Sequence, residues 1–212
     1  MREFDRQSPN QVVDYLLCEE CEQMFRRTGE DWVLDYCYRG PGKFRLYSVL
    51  GNAQTAFRTD TMSAYYANGI REINADALGY FGASVFWRAA ARNWHIQRQL
   101  MIATSLGDEY QEQIRQFLLG HSGFPSLAVM IVIVSQDPEP AFVAMFPNAF
   151  RHDGYFHHHF HIPGIGFHVF LGRQVPQRFT QLCLFHSPQR MIYSSATMDD
   201  LVLQNMAELI AN

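Results

Sequence analysis

The sequence predicts an α+β fold, with helices and an antiparallel sheet in different stretches of the chain. Apolar residues recur at helical spacing from Ala75 to Leu119, and β-branched and aromatic runs bounded by turn residues follow. A capping sequence that begins at Thr197 introduces an amphipathic terminal helix. With 212 residues, 48% of them hydrophobic, the chain can bury a sizeable core. Because no linker or repeat interrupts it, we expect one domain over residues 1–212.

Four segments follow one another in this domain. Residues 1–60 form an arginine-rich, knuckle-like segment, and residues 75–120 form a helical hairpin with a break at Gly107. Residues 125–186 form the antiparallel sheet, and a terminal helix over 198–211 closes it. The predicted strands are Leu127–Val134, Phe142–Phe146, Tyr155–His161, Phe167–Leu171 and Thr180–Phe185.

Charge and hydropathy limit the partners. A formal net charge of -4 argues against bulk electrostatic capture of nucleic acid or anionic membrane, although a local basic face remains open. The longest apolar stretch, Leu127–Val134, is far shorter than the ~18 residues of a membrane-spanning helix. The first residues lack the apolar region of a secretory signal peptide. We therefore expect a cytoplasmic protein without membrane contact.

The first chemical signal is a C-x-x-C pair formed by Cys18 and Cys21. Two thiolates at this spacing can hold one zinc ion, but a tetrahedral structural site needs four ligands. Cys37, His95 or a partner chain would complete the set. The alternative is a pair of reduced thiols that bind no metal.

The segment Leu16-Leu17-Cys18-x-x-Cys21-Glu22 resembles the zinc knuckle in the second half of HNH-type treble-clef proteins. The chain is also similar to uncharacterised bacterial proteins that pair an LLC-x-x-CE-x-x-F element with a downstream S-V-x-W-R helix, here Ser84 to Arg88. The resemblance implies a bacterial zinc-binding accessory or effector protein, with a role in anti-phage defence or toxin action.

The chain also departs from the HNH pattern. No histidine or cysteine precedes Cys18, and Glu22 stands where the family has a metal-binding histidine. No local general base is left to activate water. We therefore do not expect autonomous HNH-type cleavage.

The second signal is a histidine-rich segment, residues 151–161. In a strand, His157, His159 and His161 share one face, and Phe156, His158 and Phe160 share the other. Three imidazoles on one strand can approach a metal, although neighbours two apart are ~6.6 Å from each other along the strand. His168 or His186 from a neighbouring strand would supply a better partner. The alternative is a solvated strand face that binds nothing.

Basic and aromatic residues alternate in the front third of the chain, a pattern suited to phosphate contacts and base stacking. The candidate nucleic-acid contacts are Arg26, Arg27, Arg39, Lys43, Arg45 and Arg58. The alternative is that nearby acidic residues pair with them in solvated salt bridges.

Two further patterns have structural interpretations. The turn Ile162–Phe167 predicts a hairpin between two strands. The alternative interpretation is that its aromatic tip forms a contact surface for a partner. Trp87 and Trp94, seven residues apart, predict a buried stripe on one helix.

Three functions remain open at this point. The first is a zinc-knuckle accessory or effector protein that binds nucleic acid or a protein partner. The second is a metal-dependent hydrolase or nuclease that uses Glu22 together with the His157, His159 and His161 face. The third is a non-catalytic interaction module or homo-oligomer.

Overall fold

The computed structural model of the protein describes residues 16–92, 94–96, 99–102, 105–136, 144–186 and 188–196. Within these residues the fold is mixed α+β, as the sequence predicts. No helix in the described ranges has the length and apolar character needed to cross a membrane. The expected terminal helix over 198–211 lies outside the described residues.

The front of the chain is helical. Its elements are α1 (Glu19–Phe25), a π-helical segment (Arg26–Glu30), α2 (Asp31–Tyr36) and α3 (Arg45–Gly51). Phe25 at the end of α1 is buried and meets the ring of Tyr80 edge-on at 5.7 Å. The front helices therefore pack on the helical middle of the chain.

The central helix α4 (Ala75–Ala90) begins at Asn74, whose side chain accepts a hydrogen bond from the Ala77 amide at 2.9 Å. This contact satisfies one of the free amides of the first turn. The second helix, α5 (Asp108–Leu118), packs beside α4, where the Tyr80 hydroxyl donates to the Leu118 carbonyl at 2.9 Å.

The prediction of a helical hairpin over 75–120, broken only at Gly107, needs a correction. Two short antiparallel strands, β3 (Trp94–Ile96) and β4 (Gln99–Ile102), separate α4 from α5. Trp87 lies in α4 and Trp94 in β3, so the two tryptophans do not form a stripe on one helix. The indole of Trp94 donates instead to the Arg88 carbonyl at 3.1 Å.

Seven strands of the described chain form one sheet, with β1 at one edge and β6 at the other. The strands are β1 (Phe57–Arg58), β2 (Met62–Tyr66), β5 (Val129–Ser135), β6 (Met145–His152), β7 (Tyr155–Ile162), β8 (Ile165–Leu171) and β9 (Met191–Ser195). Their order is β1-β2-β9-β5-β8-β7-β6. All neighbours are antiparallel except β5 and β9, which run parallel.

The sequence located β5, β7 and β8. Of the expected strand Phe142–Phe146, residues 142–143 lie outside the described residues, and strand β6 runs from Met145 to His152. The stretch Thr180–Phe185 is not a strand, because helix α6 (Gln177–Thr180) and a series of turns occupy it. The sheet is completed by β9 and by β1 and β2 from the front of the chain.

The two faces of the sheet have different neighbours. On one face, Phe160 of β7 and Phe167 of β8 stack at 4.8 Å and pack against Phe86 and Phe81 of α4. The other face carries a second apolar cluster that includes Phe170, Tyr193 and Cys183. All seven residues of β5 are buried, as expected for a strand covered on both faces.

The turn between β7 and β8 is covered by the front segment, so it does not present an exposed aromatic tip. The Tyr38 amide donates to the Pro163 carbonyl at 2.9 Å, and the Phe44 ring lies against Gly164. Ile165 and Phe167 are fully buried. The prediction of a contact surface at this hairpin is therefore wrong, because the sequence does not show that residues 38–44 fold over it.

Gly29 permits the close approach of the π-helical segment to α4. A Cβ atom here would lie 3.0 Å from the Phe81 amide nitrogen and 3.1 Å from the Ala77 carbonyl oxygen. We expect Gly29→Ala to lower the free energy of unfolding by about 1–3 kcal/mol, because backbone atoms cannot move aside cheaply. Urea denaturation measures this change.

The matched control for that substitution is Gly51→Ala, at the end of α3, where no atom lies within 4 Å of the new Cβ. This variant should be unchanged or more stable by up to about 1 kcal/mol. Equal stability of the two variants would contradict the close packing of the front helices on α4.

Candidate metal centre

The histidine-rich strand β7 places its side chains as strand alternation requires. His157, His159 and His161 lie on the face opposite to Phe160, and therefore opposite to α4. On the neighbouring strand β8, His168 is directly paired with His159. Histidines from two adjacent strands thus meet on one face of the sheet.

Three of these side chains form a group with metal-binding geometry. His157, His159 and His168 each offer one ring nitrogen, and these nitrogens all lie within 4.8 Å of one another. Nε2 of His157 is 3.1 Å from Nδ1 of His168. Two nitrogens bound tetrahedrally to zinc at its usual distances would be about 3.3 Å apart. The group could therefore hold a metal ion after small movements of the rings.

The group is buried, so the expectation of a solvated strand face is wrong. The exposed fractions of His157, His159 and His168 are 3%, 8% and 1%. The Phe170 ring stacks on His157 at 4.4 Å, and Phe150 from the edge strand β6 stacks on His159 at 5.2 Å. Aromatic rings from neighbouring strands exclude water from this face.

Burial keeps two members of the group, His157 and His168, uncharged. The pKa of His157 is lowered to about 3, mainly by desolvation and secondly by the neighbouring His159. The pKa of His168 lies well below its ordinary value, mainly because the ring is buried and secondly because His157 is close to it. A metal ion binds only the deprotonated imidazole, so neither ring must lose a proton at neutral pH before it can become a ligand.

One nitrogen of the group has an unsatisfied hydrogen-bonding capacity. Nε2 of His168 is buried and has no hydrogen-bond partner among the described residues. Leaving such a group unsatisfied costs about 1–3 kcal/mol. A hydrogen-bonding ligand at this nitrogen would offset that cost.

The structure places His161 beside the group. Its ring centroid lies 5.7 Å from that of His159 and 5.9 Å from that of His168. The cross-strand neighbour His168 is in the group because it is directly opposite His159. His186, the other candidate from sequence, lies elsewhere, with its Nε2 atom 2.9 Å from the Pro125 carbonyl oxygen.

The cysteines do not assemble a comparable group. Cys18 is exposed before α1 and Cys21 is half-buried. The pKa of Cys18 is lowered by hydrogen bonds, of which the one from the Cys21 backbone has the largest effect. The pKa of Cys21 is raised, mainly by its hydrogen bond with the Cys18 thiol. Cys37 is buried at the end of α2, where its thiol donates to the Leu34 carbonyl. The side chain of His95 lies outside the described part of the structure.

Within the described residues, the histidine group is the one set of three histidine, cysteine or acidic side chains whose ligand atoms all lie within 4.8 Å of one another. Cys18, Cys21 and Cys37 therefore do not converge on one ion. Cys37 follows α2, two helical segments further along the chain than Cys21.

Three of the candidate nucleic-acid contacts have acidic partners. Arg26 bonds Asp31 at 2.9 Å, and Arg39 and Arg45 both lie beside Asp35. Arg27 donates to Gln23 at 3.4 Å, and Lys43 is exposed. Arg58 donates to the Ser63 hydroxyl at 3.1 Å. These contacts match the salt-bridge alternative for Arg26, Arg39 and Arg45.

Glu22 is separated from the histidines by the sheet. It lines a cleft of about 560 Å³ next to Phe25, Arg88 and Trp94, on the helical side of the molecule. The histidines occupy the opposite face of β7 and β8. The hypothesis that Glu22 and the His157, His159 and His161 face act together is therefore wrong, because the two lie on different sides of the sheet.

Comparisons with protein-family models, with curated proteins and with solved structures gave no match for this chain. The chemical interpretation of the centre therefore depends on its own geometry.

His158, on the α4 side of β7, is a separate buried histidine. It is 1% exposed near Phe86 and Phe156, and neither ring nitrogen has a hydrogen-bond partner among the described residues. Burial, followed by His159, lowers the pKa of His158 to about 4. The native state therefore resists protonating it.

This low pKa predicts a pH-dependent effect of His158→Met. Between about pH 6.5 and 4 the unfolded protein binds a proton at His158 that the native protein does not, so the native wild type loses stability as the pH falls. The variant lacks this loss, and its stability relative to wild type should rise by up to about 1.4 kcal/mol per pH unit on acidification. Urea denaturation in chelator at several pH values measures the difference.

His121→Gln is the control, because His121 is exposed after α5 and bonds only Gln116 in the described structure. The free energy of unfolding of this variant should change with pH in the same way as that of the wild type. Parallel profiles for His158→Met and wild type would contradict the burial of a neutral His158.

Proposed function

We propose that this protein is a metalloprotein that binds one transition-metal ion, zinc, through His157, His159 and His168. The observation that carries the proposal is the convergence of three buried imidazoles whose ligand nitrogens lie within 4.8 Å of one another. Neutral imidazole is a preferred ligand of zinc and of other borderline divalent ions such as copper, nickel and cobalt.

The ligand types support zinc over harder cations. Magnesium and calcium need several oxygen ligands, and the group contains nitrogen donors alone. Neutral rings next to a dication also avoid the repulsion that imidazolium would bring. Three histidines are an established ligand set of catalytic zinc sites.

The number of ligands supports a catalytic centre. Structural zinc sites have four protein ligands, whereas catalytic sites have three and keep one position for water or substrate. Zinc lowers the pKa of a bound water to about 7, which supplies a nucleophile at neutral pH. The proposal therefore retains a metal-dependent hydrolase, with the histidine group as its centre and without Glu22.

The zinc knuckle at Cys18 and Cys21 remains a prediction, as does binding of nucleic acid or a protein partner. The described residues provide no third ligand at the cysteine pair. The same metal analysis tests both sites, because the histidines and the cysteines lie in different parts of the fold.

Metal content should respond to the histidines. Protein purified without a histidine tag and dialysed against zinc should retain about one ion per chain, and His168→Leu should lose it. Zinc should also raise the melting temperature of the wild type, since ligand at 100 times its Kd stabilises by about 2.7 kcal/mol. The variant should show no rise, because its leucine cannot bind zinc. Elemental analysis and thermal denaturation measure these effects.

Two controls separate the candidate sites. His121→Gln and the double variant Cys18→Ser/Cys21→Ser should both retain the ion and the thermal shift. Wild-type protein without metal would overturn the proposal. Metal lost from the cysteine variant but retained by His168→Leu would place the ion at the cysteine pair instead.

A further inference from the structure

A row of polar side chains crosses three strands near the β1 edge of the sheet. Arg58 of β1 is paired with Ser63 of β2, and Ser63 is paired with Ser194 of β9. Directly paired residues share a face, so the three side chains lie in line on one face of the sheet. Both serines are buried, and buried hydroxyls are costly unless they make polar contacts.

These side chains line a cavity of about 300 Å³ between the sheet and α3. Tyr65 of β2 adds a buried hydroxyl, whose oxygen is 3.5 Å from Oγ of Ser194. Nε2 of Gln136 donates to the same Oγ atom at 3.2 Å. Leu50 and Tyr47 of α3 form an apolar part of the wall. A cavity with a few convergent polar groups and an apolar wall is the usual form of a small-molecule site.

The polar groups of this cavity include donors suited to a carboxylate. Nε of Arg58 donates to the Ser63 hydroxyl oxygen at 3.1 Å, which orients the guanidinium. Its two terminal nitrogens have no partner among the described residues. They form the fork that binds a carboxylate through two parallel hydrogen bonds. The contact of 3.5 Å between Tyr65 and Ser194 is longer than an ordinary hydroxyl hydrogen bond, so both hydroxyls can still donate to a ligand.

The same cavity has one carboxylate of its own, that of Asp60. The turn that carries Asp60 is held by two contacts: the Thr59 amide donates to the Met62 carbonyl at 2.8 Å, and the Thr59 hydroxyl accepts from the Met62 amide at 3.1 Å. Asp60 and Arg58 form no ion pair with each other in the described part of the chain. Two opposite charges that stand apart at one cavity match a ligand that carries both charges. A dianion would instead be repelled by Asp60.

We infer that this cavity binds a small zwitterion, an apolar α-amino acid, with its carboxylate on Arg58 and its ammonium group on Asp60. The wall formed by Leu50 and Tyr47 favours an apolar side chain on the ligand. Tyr65 and Leu50 belong to the apolar cluster on the α4 side of the sheet, whereas the histidine group lies on the opposite face. The inference therefore does not depend on the proposed metal centre.

L-leucine and two of its analogues test the pairing of charges. Calorimetric titration of the wild type with L-leucine should show saturable binding, in a chelator that prevents the amino acid from binding through a metal ion. Isocaproate is leucine without the amino group, and isoamylamine is leucine without the carboxylate. Each should bind more weakly by about tenfold or more, because it lacks one charge-assisted contact. Arg58→Gln and Asp60→Asn should weaken the binding of L-leucine by a similar factor.

Two further variants are controls that should bind L-leucine like the wild type. Arg71→Gln removes an exposed arginine that lines a different cleft. His168→Leu removes a member of the histidine group on the other face of the sheet.

Each contrary outcome refutes a separate part of the inference. If neither L-leucine nor L-phenylalanine binds to the wild type, the amino-acid site is refuted while the metal centre stands. Equal affinity for isocaproate and L-leucine would refute the contact with Asp60. Unchanged binding by Arg58→Gln would refute the location, and binding lost only in His168→Leu would place the ligand at the histidine group. If Arg58→Gln does not fold, Asp60→Asn decides the location, because Asp60 is exposed in the turn.

Discussion

The packing of β7 and β8 on α4 determines where the chemistry of this protein is located. Phe160 and Phe167 stack on each other and contact Phe86 and Phe81 of α4 at centroid distances of 4.9 and 5.5 Å. Because strand side chains alternate, these contacts direct His157 and His159 to the other face. A shift of β7 by one residue would turn His157 and His159 towards α4 and Phe160 towards the opposite face. The register set by two aromatic pairs therefore also creates the metal-binding face.

Burying several imidazoles on that face opposes folding unless their nitrogens find partners. Desolvation keeps His157 and His168 neutral, and one hydrogen bond of 3.1 Å joins them. Stacking by Phe150 and Phe170 adds favourable contact but satisfies no nitrogen. Nε2 of His168 is therefore a remaining cost within the described structure, of a kind that proteins accept mainly at functional sites. A polar ligand at that nitrogen would remove this local penalty.

Local patterns in the sequence predicted the elements that depend on local physics. Helical spacing predicted α4 and α5. An apolar run predicted β5, and alternating residues predicted β7 and β8. The parallel strand β9 was missed because Met191–Ser195 is short and its partner β5 lies about sixty residues earlier in the chain. Burial of the histidines was also missed, since it depends on Phe150 and Phe170 from two other strands. His168 was identified as a better partner, but its pairing with His159 needed the register of β7 and β8.

The position of the group within the sheet determines how far its histidines lie from solvent. On β5, in the middle of the sheet, every residue is buried, so a centre there would be sealed on both faces. β7 is next to the edge strand β6, and its burial declines from the fully buried His157–Phe160 to the half-buried His161 and Ile162. The histidine group therefore lies between the sealed middle of the sheet and the more exposed end of β7.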